Sequence, residues 1–146
     1  MTREYPEYPR VGVGAVVLHE GRVLLVQRGR PPAQGKWSLP GGLVDLGETT
    51  AAAARREVAE ECGIEVRLVG VAGVVDRVTR DEAGRVRYHY VLIDYLAYAD
   101  SDMVIAGSDA ADVRWVPAEH VHTLDVTEGL VDMIGRALAL TREETS

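Results

Sequence analysis

The sequence predicts an α+β fold, with helices packed on a mixed sheet, on three observations. Apolar residues recur first with the two-residue period of strands, then with the helical period up to Cys62, then as strands again, and last as a helix. The strands come as adjacent hairpins rather than alternating singly with helices, which excludes a regular doubly wound βαβ sheet. The 146 residues, 47% hydrophobic and 27% charged, have the size and composition of one globular core. A single domain is therefore expected over residues 11–141, with an N-terminal arm at 1–10 and a frayed end at 142–146.

The arm holds Tyr5, Pro6, Tyr8 and Pro9 and follows neither period. Val11 to Leu18 forms a first strand, and His19-Glu20-Gly21-Arg22 turns it into a second, Val23 to Val26. Arg28 to Gly35 is a Gly/Pro-rich loop, and Pro40-Gly41-Gly42 keeps the chain turn-like from there to Thr49. A helix runs from Thr49 or Thr50 to Cys62, with threonine as its N-cap and Gly63 at the left-handed position that ends it. Ile64 to Val75 and Val86 to Tyr98, rich in β-branched and aromatic residues, form a second hairpin around Arg80 to Gly84. A polar loop through Asp100 and Gly107 to Asp109 leads to a short strand, Val113 to Val116, closed by Pro117. Leu130, Met133, Ile134, Ala137 and Leu138 mark one face of a last helix from Thr127 to Leu140.

A net charge of -7 disfavours binding to a nucleic-acid backbone, which needs clustered cations. Lys36 is the single lysine; arginine supplies the remaining cationic charge and suits small phosphorylated ligands. Cys62 has no partner for a disulfide or a zinc knuckle. No apolar run approaches bilayer length and Met1 to Glu4 lacks the apolar stretch of a signal peptide, so no membrane contact and a cytoplasmic location are expected.

The first helix concentrates acid. Glu60 and Glu61 lie about 60° and 40° to either side of Glu57, so three carboxylates share one face, with Ala53 in the same arc leaving space above them. Ala51, Ala54, Val58 and Cys62 form the adjoining apolar face. Like charges within one turn repel unless solvent or a cation offsets them, and a hard divalent ion prefers such oxygen ligands. Glu48 would point away from Glu57 on a continued helix, so it reaches the site from the loop, if at all. Gly41 and Gly42 allow the backbone to approach a ligand closely.

Gly42-x5-Glu48-x7-Arg56-Glu57-Val58-x-Glu60-Glu61-x-Gly63-Ile64 matches every position of the Nudix box, and the chain resembles the Nudix hydrolase family over nearly its whole length. The likeness extends to Gly14 to Leu18, Val23 to Arg28, Gly35 to Gly42 and Val113 to Val116. It implies an α/β/α sandwich, a mixed sheet between the box helix and the C-terminal helix, and hydrolysis of a nucleoside diphosphate linked to another group with Mg²⁺ or Mn²⁺. By the same resemblance Glu57 and Glu61 are the principal metal ligands, Glu60 is a third acidic ligand, and the Gly41 carbonyl is a backbone ligand. Glu48, Arg56 and Gly63 hold the box in shape. Arg28 is a candidate phosphate contact, while Trp37 and Gly42 are candidate substrate-side positions, packing being favoured for Trp37. Many members carry a catalytic acid beyond the box, usually glutamate. Here Asp112 is the first candidate for it and Asp109 the second, each also readable as a loop or turn residue.

The box does not select the substrate. The strand Arg85 to Leu96 resembles that of bacterial ADP-ribose pyrophosphatases, which favours an ADP-ribose-like compound over the alternative, a (d)NTP of the nucleotide pool. A nucleotide-binding module without turnover is disfavoured because every box carboxylate is present. A homodimer is compatible, with the arm from Tyr5 to Pro9 reaching a second subunit.

Overall fold

The computed structural model describes residues 3–31 and 33–144. Seven strands form one mixed sheet: β1 (Arg10–His19), β2 (Arg22–Arg28), β3 (Trp37–Ser38), β4 (Gly41–Leu43), β5 (Arg67–Arg80), β6 (Val86–Tyr98) and β7 (Ala110–Pro117). Helix α1 (Thr50–Cys62) packs on one face, and a 3-10 turn (Ala118–Thr123) precedes α2 (Leu130–Glu144) on the other. The order along the sheet is β3-β2-β1-β6-β5, with β4 also paired to β1 and β7 to β2. This is the expected α+β sandwich of a mixed sheet between two helices. No described helix is long and apolar enough to cross a membrane.

β1 is the axis. One side pairs in parallel with β6 from Arg10 to Leu18. The other is shared: its end pairs with β2 and its first half with β4. Alternation along β1 sends Val13, Ala15 and Val17 toward α1, and Val16 and Leu18 toward α2. The α1-side core joins Leu24, Val26, Val58 and Cys62; the α2-side core joins Val23, Leu25, Leu96, Met133 and Ile134.

Several expected boundaries are corrected. The stretch after Pro40 is not all turn, because Gly41–Leu43 forms β4 against Gly12–Gly14 of β1. Bare glycine makes that pairing possible: a Cβ on Gly41 would collide with the Val13 carbonyl and stand 2.9 Å from Gly14 Cα. β5 begins at Arg67 and runs to Arg80, while Ile64 turns into the α1-side core instead. α2 starts at Leu130 because Gly129 takes φ +83°, off the helical path. It continues through Arg142 and Glu143, expected to fray, because no Gly or Pro follows Leu140 and Thr141 Oγ1 donates to the Leu138 carbonyl at 2.6 Å; residues 145 and 146 lie outside the described set.

The arm folds back on its own hairpin instead of projecting. Tyr5 N–H donates to the Arg87 carbonyl at 2.7 Å, its hydroxyl donates to Asp81 at 3.0 Å, and Arg87 pairs with Glu4 at 3.0 Å. Residues 1 and 2 of the expected arm lie outside the described set.

Candidate active site

Helix α1 begins and ends where its sequence dictates. Thr49 accepts from the Ala52 N–H at 3.1 Å, and Gly63 takes φ +64° with its N–H on the Ala59 carbonyl. Ala53, Ala54, Val58 and Cys62 are fully buried. Ala53 therefore packs into the sheet with Val13 and does not leave space over the carboxylates, which lean toward β4. Burial pushes the Cys62 thiol up to about 12, so it serves as core rather than nucleophile.

Glu61 Oε1 accepts from the Gly41 N–H at 2.8 Å. Glu57 lies against Gly42, where a Cβ would sit 2.5–2.6 Å from both of its carboxylate oxygens. The two glycines thus serve the site twice, one as an anchor and one as the bare floor under a carboxylate. Glu60 is 58% exposed on the outer side.

Arg56 organises the group. Its Nε and Nη2 grip both oxygens of Glu48 at 2.7 and 2.9 Å, Nη2 also donates to the Leu43 carbonyl at 3.1 Å, and Nη1 reaches Glu57 at 2.8 Å and Glu60 at 3.3 Å. One guanidinium thereby ties the loop, β4 and two box acids together. Its hydrogen bonds, with that from the Asp45 N–H, hold the Glu48 carboxyl down at about 2.

Charge is unevenly settled among the acids. Burial raises Glu57 above the usual carboxylate range, with Arg56 opposing. Burial pushes Glu61 up to about 7; the Gly41 N–H and the Arg28 charge oppose this, while Glu57 and Asp109 add to it. Arg28 and Asp109 therefore both lie within electrostatic reach of Glu61, consistent with the register that pairs Arg28 with Ala110.

Asp112 is elsewhere. On β7 Val113 and Trp115 pack toward α1, and Val116 packs toward α2, so alternation turns Asp112 and Arg114 to the α2 face. Asp112 pairs there with Arg114 at 3.8 Å, and Arg114 in turn lies 4.8 Å over the Trp37 ring. Trp37 is 6% exposed within the α2-side core. Asp112 is turned from the carboxylates because sequence distance from the box carries no information about which face of a sheet a side chain takes, whereas Trp37 takes the packing role favoured for it. Asp109, paired with Arg30 at 3.0 Å, is the outside acid that the structure brings to the carboxylates.

The segment that carries Asp109 docks on α1, a contact the sequence reading missed. Ile105 and Gly107 donate their N–H groups to the Cys62 and Glu61 carbonyls at 2.9 and 2.8 Å, filling acceptors left open at the helix end. A Cβ on Gly107 would collide with the Glu60 carbonyl, so this glycine was the available signal.

Among the described residues no three acidic or histidine side chains close on one point. Glu57 and Glu61 nevertheless present two half-buried, like-charged carboxylates beside a bare glycine backbone, all hard oxygen donors. Burial that disfavours their charge is what a divalent cation would offset, so the residues fit Mg²⁺ or Mn²⁺ with water completing the shell.

Comparison with known proteins agrees with this geometry. The sequence pattern of the NUDIX domain matches residues 8–134. An ADP-ribose pyrophosphatase of Methanocaldococcus jannaschii is 31% identical over 108 residues, 74% of this chain, which spans 62% of that protein's length. A putative 8-oxo-dGTP diphosphatase 2 of Mycobacterium tuberculosis is 35% identical over 127 residues, covering 83% of this chain and 90% of that one. The crystal structure of a MutT NUDIX hydrolase from Burkholderia pseudomallei superposes with a TM-score of 0.78 at 32% identity, over 89% of this chain and 98% of that one. With the box residues gathered by one arginine at the end of β4, the chain belongs to the Nudix hydrolase family.

Proposed function

We propose that the chain hydrolyses the pyrophosphate bond of an ADP-ribose-like nucleoside diphosphate, using Mg²⁺ or Mn²⁺ held by Glu57, Glu61, the Gly41 carbonyl and, from the outer side, Glu60. The observation that carries this reading is the convergence of Glu57 and Glu61 on the Gly41-Gly42 backbone under the Arg56 clamp. The ADP-ribose pyrophosphatase among its relatives supports the choice of substrate.

The metal, when bound, would polarise a phosphoryl oxygen and lower the pKa of an attacking water. The chain's own residues do the rest. Arg56 holds the Glu57 carboxylate at the site through a 2.8 Å hydrogen bond. Arg28, whose charge reaches the carboxylates, attracts the substrate's phosphate oxygens. Asp109, whose Oδ1 pairs with Arg30 at 3.0 Å, takes the water's proton.

A second reading, pyrophosphohydrolysis of a purine (d)NTP, is favoured by the 8-oxo-dGTP diphosphatase relative and uses the same carboxylates. Product analysis separates the two. With Mg²⁺ or Mn²⁺ the first reading expects AMP and ribose 5-phosphate from ADP-ribose; pyrophosphate and a nucleoside monophosphate from 8-oxo-dGTP, with ADP-ribose intact, would replace it by the second.

A further inference from the structure

Asp94 is the one acid in Val91-Leu92-Ile93-Asp94-Tyr95-Leu96, and nothing above uses it. It shares strand parity with Leu96, which lies in the α2-side core, so its carboxyl stands on the α2 face of β6. Its neighbours across the sheet are both glycine, Gly14 on β1 and Gly73 on β5. The carboxyl leans over Gly14: a Cβ there would collide with Asp94 Oδ1 and stand 3.4 Å from the Pro40 carbonyl.

No donor among the described residues hydrogen-bonds this carboxyl. The arginines nearest it on that face have partners of their own, Arg77 on the Glu128 carbonyl at 3.0 Å and Arg136 on Asp132 at 3.0 Å. Burial without a donor pushes Asp94 up to about 6, with only the Arg77 charge pulling it down. The carboxyl is half-buried and keeps contact with solvent, so its acceptor oxygens are open to a donor that arrives from outside.

Register shows where that partner sits. Asp94, Gly14 and Gly41 are neighbours in one row across β6, β1 and β4. Two strand spacings, about 10 Å, therefore separate Asp94 from the glycine that anchors Glu61. β4 has β1 as its strand partner, and its other edge, where Glu61 accepts from the Gly41 N–H and Arg56 donates to the Leu43 carbonyl, borders both faces of the sheet. A nucleotide with its phosphate at Glu57 and Glu61 spans that distance with its nucleoside.

We infer that Asp94 is a specificity-determining residue, its carboxylate accepting a hydrogen bond from the ribose 2′-hydroxyl or the base amino group on the nucleoside half of the substrate. The inference rests on the pyrophosphohydrolase reading above. A site built around a half-buried acceptor disfavours an analogue that lacks the donor, because the acceptor then keeps only solvent as its partner.

The test uses the full chain with Mg²⁺ and three non-hydrolysable probes: AMP, 2′-deoxy-AMP and purine riboside 5′-monophosphate. Calorimetric titration of wild type and Asp94→Ala is expected to give a loss of about tenfold or more for AMP and under about threefold for one of the two analogues. An unaffected deoxy compound assigns the donor to the ribose hydroxyl, and an unaffected purine riboside to the base amino group. With ADP-ribose the same variant raises KM while kcat stays within about twofold, since the reacting atoms are untouched. Its melting temperature is expected to hold or rise, because an unpaired carboxyl has been removed. Asp94→Asn, which keeps an acceptor oxygen, loses less, and it carries the test if the alanine variant does not fold. Equal loss for all three probes, no loss for any, or a fall in kcat alone overturns the inference and leaves the hydrolase reading standing. A wild type that neither binds these nucleotides nor turns over ADP-ribose overturns both.

Discussion

Glu61 is held at the site against its own preference for water. Its carboxyl titrates near 7 in the folded chain against an ordinary 4.5, and burial is the main cause. Between those values the folded chain keeps a proton that the unfolded chain has released, so stability is lost as pH rises across the window and the loss is complete above 7. In metal-free buffer Glu61→Gln, whose amide oxygen can still accept from Gly41, should raise the melting temperature at pH 8 and not at pH 4, by an energy on the order of 1–3 kcal/mol. A variant no more stable at pH 8 than wild type would show that the carboxylate carries no such penalty. The outside acid gives a second contrast at this scale. Asp109→Asn should lower kcat by roughly 10²–10⁴-fold, while Asp112→Asn, on the other face of the sheet, should leave it nearly unchanged; the opposite pattern in steady-state assays would return the role to Asp112. The box acids were legible in the sequence because helical period alone sets Glu57, Glu60 and Glu61 side by side. Asp109 against Asp112 was not, because a bulge between Gln27 and Arg28 and the parity of β7 decide it.

At the scale of elements, the site depends on β4 meeting α1, and its two glycines divide the work. A Cβ on Gly42 meets first the end of the Glu57 side chain, which can move aside. Gly42→Ala should therefore keep the fold while displacing the carboxylate and cutting turnover. A Cβ on Gly41 meets the backbone of β1, which cannot move without breaking the sheet. Gly41→Ala should instead lower the melting temperature by several degrees, with activity lost as a consequence. Thermal melts beside kcat measurements check the pair, and equal stability of the two variants would contradict the division. Helix α1 was readable to within a residue, since Thr49 and Gly63 are strong local signals. β4 was not, because Pro-Gly-Gly ordinarily marks a turn and only the close approach of β1 turns it into a strand. The hold of residues 105–107 on the end of α1 is likewise tertiary: two backbone donors find two helix carbonyls, and no side-chain pattern announces them.

For the whole molecule, the fold class followed from the order of periods along the chain, while the path of the sheet did not. That β1 runs parallel to β6 and divides its other side between β2 and β4 is a long-range choice, and it is this division that places the glycine backbone beneath the box acids. The arm also resolved at this scale. Tyr5 is tied to Asp81 and Arg87 of its own hairpin, while Tyr8 of the same arm stays exposed. The central claim is that Glu57 and Glu61 together hold the divalent ion on which pyrophosphate cleavage depends. Its most direct test is the rate of AMP formation from ADP-ribose as Mg²⁺ is titrated into wild type, Glu57→Gln and Glu61→Gln. The account predicts saturable, metal-dependent turnover in the wild type and a loss of at least about a hundredfold in each folded variant, more than the removal of an outer-shell partner costs. Full metal-dependent AMP formation by both variants would contradict it.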